Sequence, residues 1–425
     1  MKANTSFSGL FKQVATSATL PLVLTVGMAA SADTVTTNGV TWTYTSKDTT
    51  KKTVTLGGIA GFDENVTPND SQRAMPAATE IDASLIPWTF DVNGETYTVT
   101  ALGSQAFRGC TNLTGNLSIP RAVTSIGRAC FDSTKVRIVS LGGVTQLSSY
   151  LFQRMPAQPF PDISGVTSLK SSFYGCPFTG VAKVAKNANS SSWRSFSHCA
   201  GLEAVLALGP DTATSGTQAY TTFSVDEFFD QSKNLKIIFM GPNTKGTSFA
   251  QVDALNGVTG CKMFVPDNGF WDGFNPSATG NEIIYYGATT NLDFTVEDDA
   301  GRIVAKPKTE DALLKVVESA PLFKKYFGWN TVVDVPNDLA LSAGTLTAGM
   351  FTSLEPNSLV LVFPVTTQAK ANSILSAVPA EATIGVDPTG LTEKLTIPRY
   401  ENVFVKSAPG VEIRRTIKGF TLIVK

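Results

Sequence analysis

Histidine is nearly missing from this sequence: His198 stands alone among 425 residues. A chain with one imidazole cannot build a multi-histidine metal centre, and general acid–base chemistry would rest on that single ring or on carboxylates. Charged residues are scarce too, at 16%, and the formal net charge is −1. No basic stripe tracks along the chain, so nothing in it matches the electrostatic footprint of a nucleic-acid binder. No apolar run reaches the roughly 20 residues needed to span a bilayer. No C-x-x-C pair appears among the five cysteines, which leaves out the usual zinc spacing. No G-x-S-x-G elbow marks a serine hydrolase. No cofactor or metal is expected.

What is present begins with a leader. Lys2 and Lys12 precede LPLVLTVGMAA (Leu20 to Ala30), and Ala30-Ser31-Ala32 offers small residues for cleavage. Residues 1–32 therefore read as a signal peptide, and the protein is expected to be secreted or held at a cell surface. An apolar content of 42% suits folded interiors rather than a disordered chain.

One pattern then repeats. VTALGSQAFRGC at Val99 returns as VTSIGRACFDST at Val123, VTQLSSYLFQRM at Val144 and, one position shorter, VTSLKSSFYGC at Val166. The unit is V-T-x-(L/I)-x-x-x-x-F-x-x-C, recurring every roughly 21 to 24 residues, a period typical of a solenoid. Val and Leu/Ile point inward from a short strand, and the Phe fills the coil from the opposite side. One coil cannot bury that face; a stack can. Cys110, Cys176 and Cys199 each follow an aromatic by three residues. A buried thiol ladder fits them, with one inter-repeat disulfide as the alternative. Cys130 and Cys261 fall outside that spacing, and the redox state of the five is open.

LSIPRAVTSIGRACF (Leu117 to Phe131) resembles the I-P-x-x-V-T-x-I-G-x-x-A-F unit of BspA-like leucine-rich repeats, also called the Treponema type. AFRGCTNL (Ala106 to Leu113) is similar to its A-F-x-x-C-x-x-L continuation, and KMFVPDNGFW to the ending of such arrays. The resemblance runs over roughly 94–274 and implies secreted or surface proteins, mostly bacterial, that adhere to or recognise other proteins. It implies no catalytic residues.

The expected architecture is a repeat solenoid with a short β-strand and a turn per coil, an N-terminal β cap and a C-terminal α+β domain. The expected divisions are 1–32 (signal peptide), 33–93 (cap), 94–275 (solenoid with closing coil) and 285–425 (C-terminal domain). Asn93-Gly94 between alternating runs predicts a hairpin. Thr309 to Trp329 predicts a helix that Pro321 interrupts. Trp193, standing where clearer repeats carry Ser or Arg, and Arg194 beside it are the candidate binding residues, against the alternative that Trp193 is extra filling. Asp63, Glu64, Asn69 and Asp70, and Glu297 to Asp299, are oxygen-rich loops without EF-hand spacing. His198 beside Cys199 suggests a thiol dyad only until one notes that Cys199 holds the packing position. A non-catalytic protein that binds an extracellular protein or cell-surface ligand is the leading reading. A carbohydrate-binding or matrix component, and an enzyme sited after Gly287, are the alternatives.

Overall fold

The computed structural model describes residues 32–58, 66–190, 194–211, 221–224, 227–247, 254–272, 280–387 and 403–405. The leader through residue 31, Trp193, and Asp63 with Glu64 lie outside the described residues.

The chain opens with a sheet in which Asp33–Thr37, Val40–Asp48 and Thr53–Leu56 run antiparallel to one another in turn. Thr53–Leu56 then pairs in parallel with Glu95–Leu102, which closes a hairpin with Thr89–Val92. Asn93 and Gly94 carry that hairpin at φ 52° and 80°, the left-handed pair that a two-residue turn requires. Glu95–Leu102 passes directly into parallel pairing with Ser125–Ile126.

From there each coil lies on the last. Asn116–Ser118 pairs in parallel with Arg137–Ser140, and isolated bridges join Gln146 to Ser168 and Pro159 to Thr179. A five-stranded parallel sheet follows in chain order: Gly180–Val184, Leu202–Ala207, Ile237–Met240, Lys262–Pro266 and Glu282–Tyr286. Each repeat position has a physical job. Val99, Val123, Val144 and Val166 are buried with Leu102, Ile126, Leu147 and Leu169. Thr124 N–H donates to the Thr100 carbonyl and Thr167 N–H to Thr145, one coil apart. In the first two units a glycine follows the Leu/Ile, and the contact requires it: a Cβ on Gly127 would stand 2.2 Å from the Ser104 nitrogen of the coil before it.

The phenylalanines form one column. Successive ring centroids lie 5.8 Å apart for Phe107–Phe131, 6.4 Å for Phe131–Phe152, 5.2 Å for Phe152–Phe173, 5.4 Å for Phe173–Phe196 and 6.3 Å for Phe196–Phe229. All six rings are fully buried. Beside the column sit the residues three positions on, and all five cysteines of the chain are buried free thiols. Cys176 and Cys199 touch, with sulfurs 3.6 Å apart. Cys199 Sγ donates to the Phe173 carbonyl, and Ser232 Oγ does the same for Phe196. The small residue thus satisfies the carbonyl of the coil beneath. Met155 fills this place in the Phe152 coil, where the Cys of the unit is missing.

The remaining third does not abandon stacking. Leu292–Glu297 and Arg302–Pro307 form an antiparallel hairpin, after which Asn330–Asp334, Leu359–Pro364, Thr383–Asp387 and Val403–Val405 add in parallel and in chain order. Helices α1 (Glu310–Leu322) and α2 (Gln368–Ala377) occupy two of the crossovers, capped by Thr309 and Thr367. Pro321 does not break α1. It lies one residue from the helix end, and a wider π turn over Phe323–Phe327 follows, so only the last turn has to absorb the missing N–H.

A second core, built on Phe294, Phe323, Trp329 and Leu361, also takes in Ala204, Leu206, Ile237, Phe239 and Phe264. Those five lie on the repeat sheet, on the face opposite Val205, Ile238 and Met263 of the first core. The repeat sheet is therefore buried on both faces, which explains the unbroken apolar runs IIFM and MFVP.

Phe173 has stacked neighbours on both sides, so Phe173→Ala should cost about 3–5 kcal/mol of unfolding free energy in urea. The five thiols should resist alkylation in the native chain and react once it is unfolded. Burial pushes Cys110 up to about 12 and Cys130, Cys199 and Cys261 upward as well. A thiol pKa raised by folding gives stability that is whole below the unfolded value of about 8.5 and declines as pH rises towards the folded value. Equilibrium unfolding of the reduced protein against pH should show that decline.

Candidate functional site

The turn that carries each Phe has an unusual backbone. Two residues before the ring, Gln105, Ala129, Tyr150, Arg194 and Glu227 all have φ between 48° and 63°. Two residues after it, Gly109, Ser133, Arg154, Gly175, His198 and Gln231 are left-handed as well. Left-handed conformations disfavour side chains other than those of Gly, Asn and Asp. They persist here because each turn is hydrogen-bonded to the next: Phe107 N–H to Cys130, Gly109 to Asp132, Phe131 to Leu151, Phe196 to Phe228, and His198 to Asp230. Glycine serves at two of these places, so backbone geometry does not call for Tyr150, Arg154, Arg194 or His198.

Two of these side chains, Tyr150 and His198, join a line of contacts with Arg128 and Tyr174. The Arg128 guanidinium lies 4.6 Å from the centre of the Tyr150 ring. Tyr150 packs edge-on against Tyr174 at 5.5 Å and 88°, and Tyr174 lies 5.2 Å from the His198 ring. This is a diagonal line across four successive coils. Arg194 pairs with Glu227 of the next coil. Its guanidinium is held further in its charged form by that carboxylate. Tyr150, Tyr174 and Arg194 are half-buried, and His198 is exposed.

Along the same edge runs a carboxylate clamp. Asp132, only 1% exposed, accepts from Arg108 Nε at 3.0 Å and from Arg154 Nε at 2.9 Å. One buried charge thereby ties three coils together. Asp132→Asn should lower stability by about 1–3 kcal/mol, since Arg154 can turn to water but Arg108 is largely enclosed; urea unfolding at neutral pH would measure it.

Of the two residues singled out in the sequence, Arg194 is in this ridge and Trp193 is outside the described residues. Arg128, Tyr150, Tyr174 and His198 were not singled out as binding residues. The signal was available as offsets from the Phe (three and two before, one and two after), but it is spread over four coils and invisible within any single unit.

The other candidates do not assemble. Cys199 Sγ donates to the Phe173 carbonyl, while Nδ1 of His198 lies 2.8 Å from Ser197 Oγ, so the adjacent pair forms no dyad. Asp70 accepts from Arg73 Nη1 at 2.8 Å, and Asn69 from Ser71. Glu297 pairs with Arg302, and Asp298 accepts from Trp329 Nε1. Among the described residues no group of three His, Cys, Asp or Glu could hold a metal ion. Cavities of about 500 and 520 Å³ border the C-terminal sheet, lined in part by Asp211, Glu297, Asp298 and Asp299 and by Asp293, Asp334 and Asp387. None of these carboxylates is buried, so neither cavity shows the enclosed acid expected of an active site in this region.

Residues 95–203 match the BspA type leucine rich repeat region, in six copies. Among solved structures the chain is similar to a leucine rich cell surface protein from Faecalibacterium prausnitzii A2-165, at 13% identity and a TM-score of 0.34, covering 87% of this chain and 76% of that one. It is also similar to a leucine-rich repeat protein from Bacteroides ovatus ATCC 8483, at 13% identity and a TM-score of 0.32, covering 87% and 88%. No curated protein matches. Among the described residues no helix is long and apolar enough to cross a membrane.

Proposed function

We propose that this chain, a carrier of BspA-type leucine-rich repeats, works by holding a recognition surface for another protein, outside the cell and without catalysis. The observation that carries this is the Arg128–Tyr150–Tyr174–His198 ridge. Arginine and tyrosine are the residues that dominate protein interfaces, because each offers large contact area together with a polar end. Here they stand on turns locked coil to coil, so little conformational freedom remains to be lost on binding.

We read the stack as a solenoid closed at its start by the sheet of 33–93, which meets the first coil edge to edge. Trp271 acts as its finish: the indole is buried, with Nε1 donating to the Thr244 carbonyl. The region from 285 serves as a covering domain on the later coils. Export through the leader at 1–32, and adhesion at a cell surface, belong to the same proposal.

A carbohydrate ligand fits less well. Sugars stack on open aromatic faces, whereas Tyr150 is engaged by Arg128 over its ring and by Tyr174 in a T-shaped contact, and Tyr174 is also flanked by His198.

Presenting the full chain to arrays of extracellular proteins, glycans and intact cells tests this. Saturable binding to a protein should weaken by tenfold or more, about 1.4 kcal/mol or above, in Tyr174→Ala, with the melting temperature little changed. Binding to glycans alone, or a Tyr174→Ala chain that binds its protein as well as the parent does, would sink the proposal.

A further inference from the structure

The ridge has a sign, and it is positive. Among the described residues its carboxylates are engaged within the stack: Asp132 is enclosed between Arg108 and Arg154, Glu227 is paired with Arg194, and Asp230 accepts from Asn256 Nδ2 at 2.9 Å. Its cations face out. Lys170 is exposed, and Arg154 keeps 58% of its side chain in solvent while it holds Asp132. Arg128 spreads its guanidinium over Tyr150 at the head of the aromatic line. Lys170 also occupies a left-handed turn position, at φ 45°, where a glycine would be less strained.

Resting on the reading of this ridge as a protein-binding surface, we infer that its partner is an acidic polypeptide segment, bound extended across the Phe131 to Phe196 coils. Coils stacked like parallel strands are about 4.8 Å apart, so the three steps from Arg128 to Arg194 span about 14 Å. An extended peptide of about five residues covers that distance. Guanidinium groups donate to carboxylates, an ammonium such as that of Lys170 pairs with them as a point charge, and tyrosine hydroxyls can donate to backbone carbonyls. An acidic partner is also drawn in faster by cations grouped on one edge, while a basic one is turned away.

Fluorescence anisotropy of the full chain with labelled peptides of about ten residues alternating Glu-Ser, Gln-Ser or Lys-Ser, and with a sulfated glycosaminoglycan fragment, separates the possibilities. The Glu-Ser peptide should bind saturably and more weakly as salt rises, and the Gln-Ser and Lys-Ser peptides should not bind. Lys170→Glu together with Arg128→Gln should weaken the Glu-Ser complex about tenfold. Lys170→Glu alone, at an exposed site that folding does not depend on, should weaken it about threefold. Binding of the glycosaminoglycan but not the Glu-Ser peptide overturns the polypeptide assignment. Equal binding of Glu-Ser and Gln-Ser, lost in Tyr174→Ala, overturns the acidic preference and keeps the ridge. Glu-Ser binding that neither Lys170→Glu nor Tyr174→Ala disturbs overturns the location itself.

Discussion

A phenylalanine ring cannot be buried by the coil that carries it. Each coil here is a single turn of chain around a narrow interior, and the ring at its corner has covered faces only if another coil lies above and below. The column from Phe107 to Phe229 is therefore a condition on every coil at once. Its spacing sets the distance between turns, and that distance decides what else fits. Gly127 approaches the backbone of the preceding coil too closely for any side chain. The residue three after the ring must be small, or a Met that can bend, because it lies against its counterpart in the next coil. Cys176 and Cys199 are in van der Waals contact there. Thiols suit the place because they pack as apolar groups and still donate weakly to a carbonyl.

The same stacking turns a strained backbone into a rigid one. A left-handed residue costs about 1 kcal/mol, and two per coil would be a large burden for an isolated turn. Hydrogen bonds from each turn to the next fix these conformations collectively, so the burden is spread over the stack. Side chains at those positions then stand at defined places on the edge, independent of the core. Core positions are committed to Phe, Val and Leu; edge positions are free to differ from coil to coil. Tyr150, Lys170, Arg194 and His198 are such differences.

Much of this was legible in the sequence and some was not. The inward Val and Leu/Ile, the Phe and the small residue are local signals, each visible in one unit, and they led to stacked coils and buried thiols. Asn93-Gly94 was equally local. The clamp at Asp132 and the ridge are not local, because their members lie about twenty residues apart and occupy different offsets. Recognising them requires the register between coils, which only the folded chain supplies. The helix start at Thr309 and its change near Pro321 were local signals too; what they did not carry is that the chain continues as a π turn over Phe323–Phe327. The apolar runs of the later strands, IIFM and MFVP, did carry a message of burial on both faces, but what covers the second face is 285 onward, a region without the repeat.

That covering narrows where a partner can sit. In a stack of coils the outer face of the sheet is the broad surface, and in the later coils Phe239 and Phe264 on that face are packed against Phe294, Phe323 and Trp329. A contact so apolar and so extensive belongs to the folded core and is not available to be displaced by a ligand. Among the described residues the Phe-turn edge has no such cover: Tyr150 and Tyr174 are only half-buried, and Lys170, Arg154 and His198 are exposed. The C-terminal region thus removes one face from use and fixes the coils from behind, leaving a stiff edge with distinct side chains as the surface on which recognition can be built.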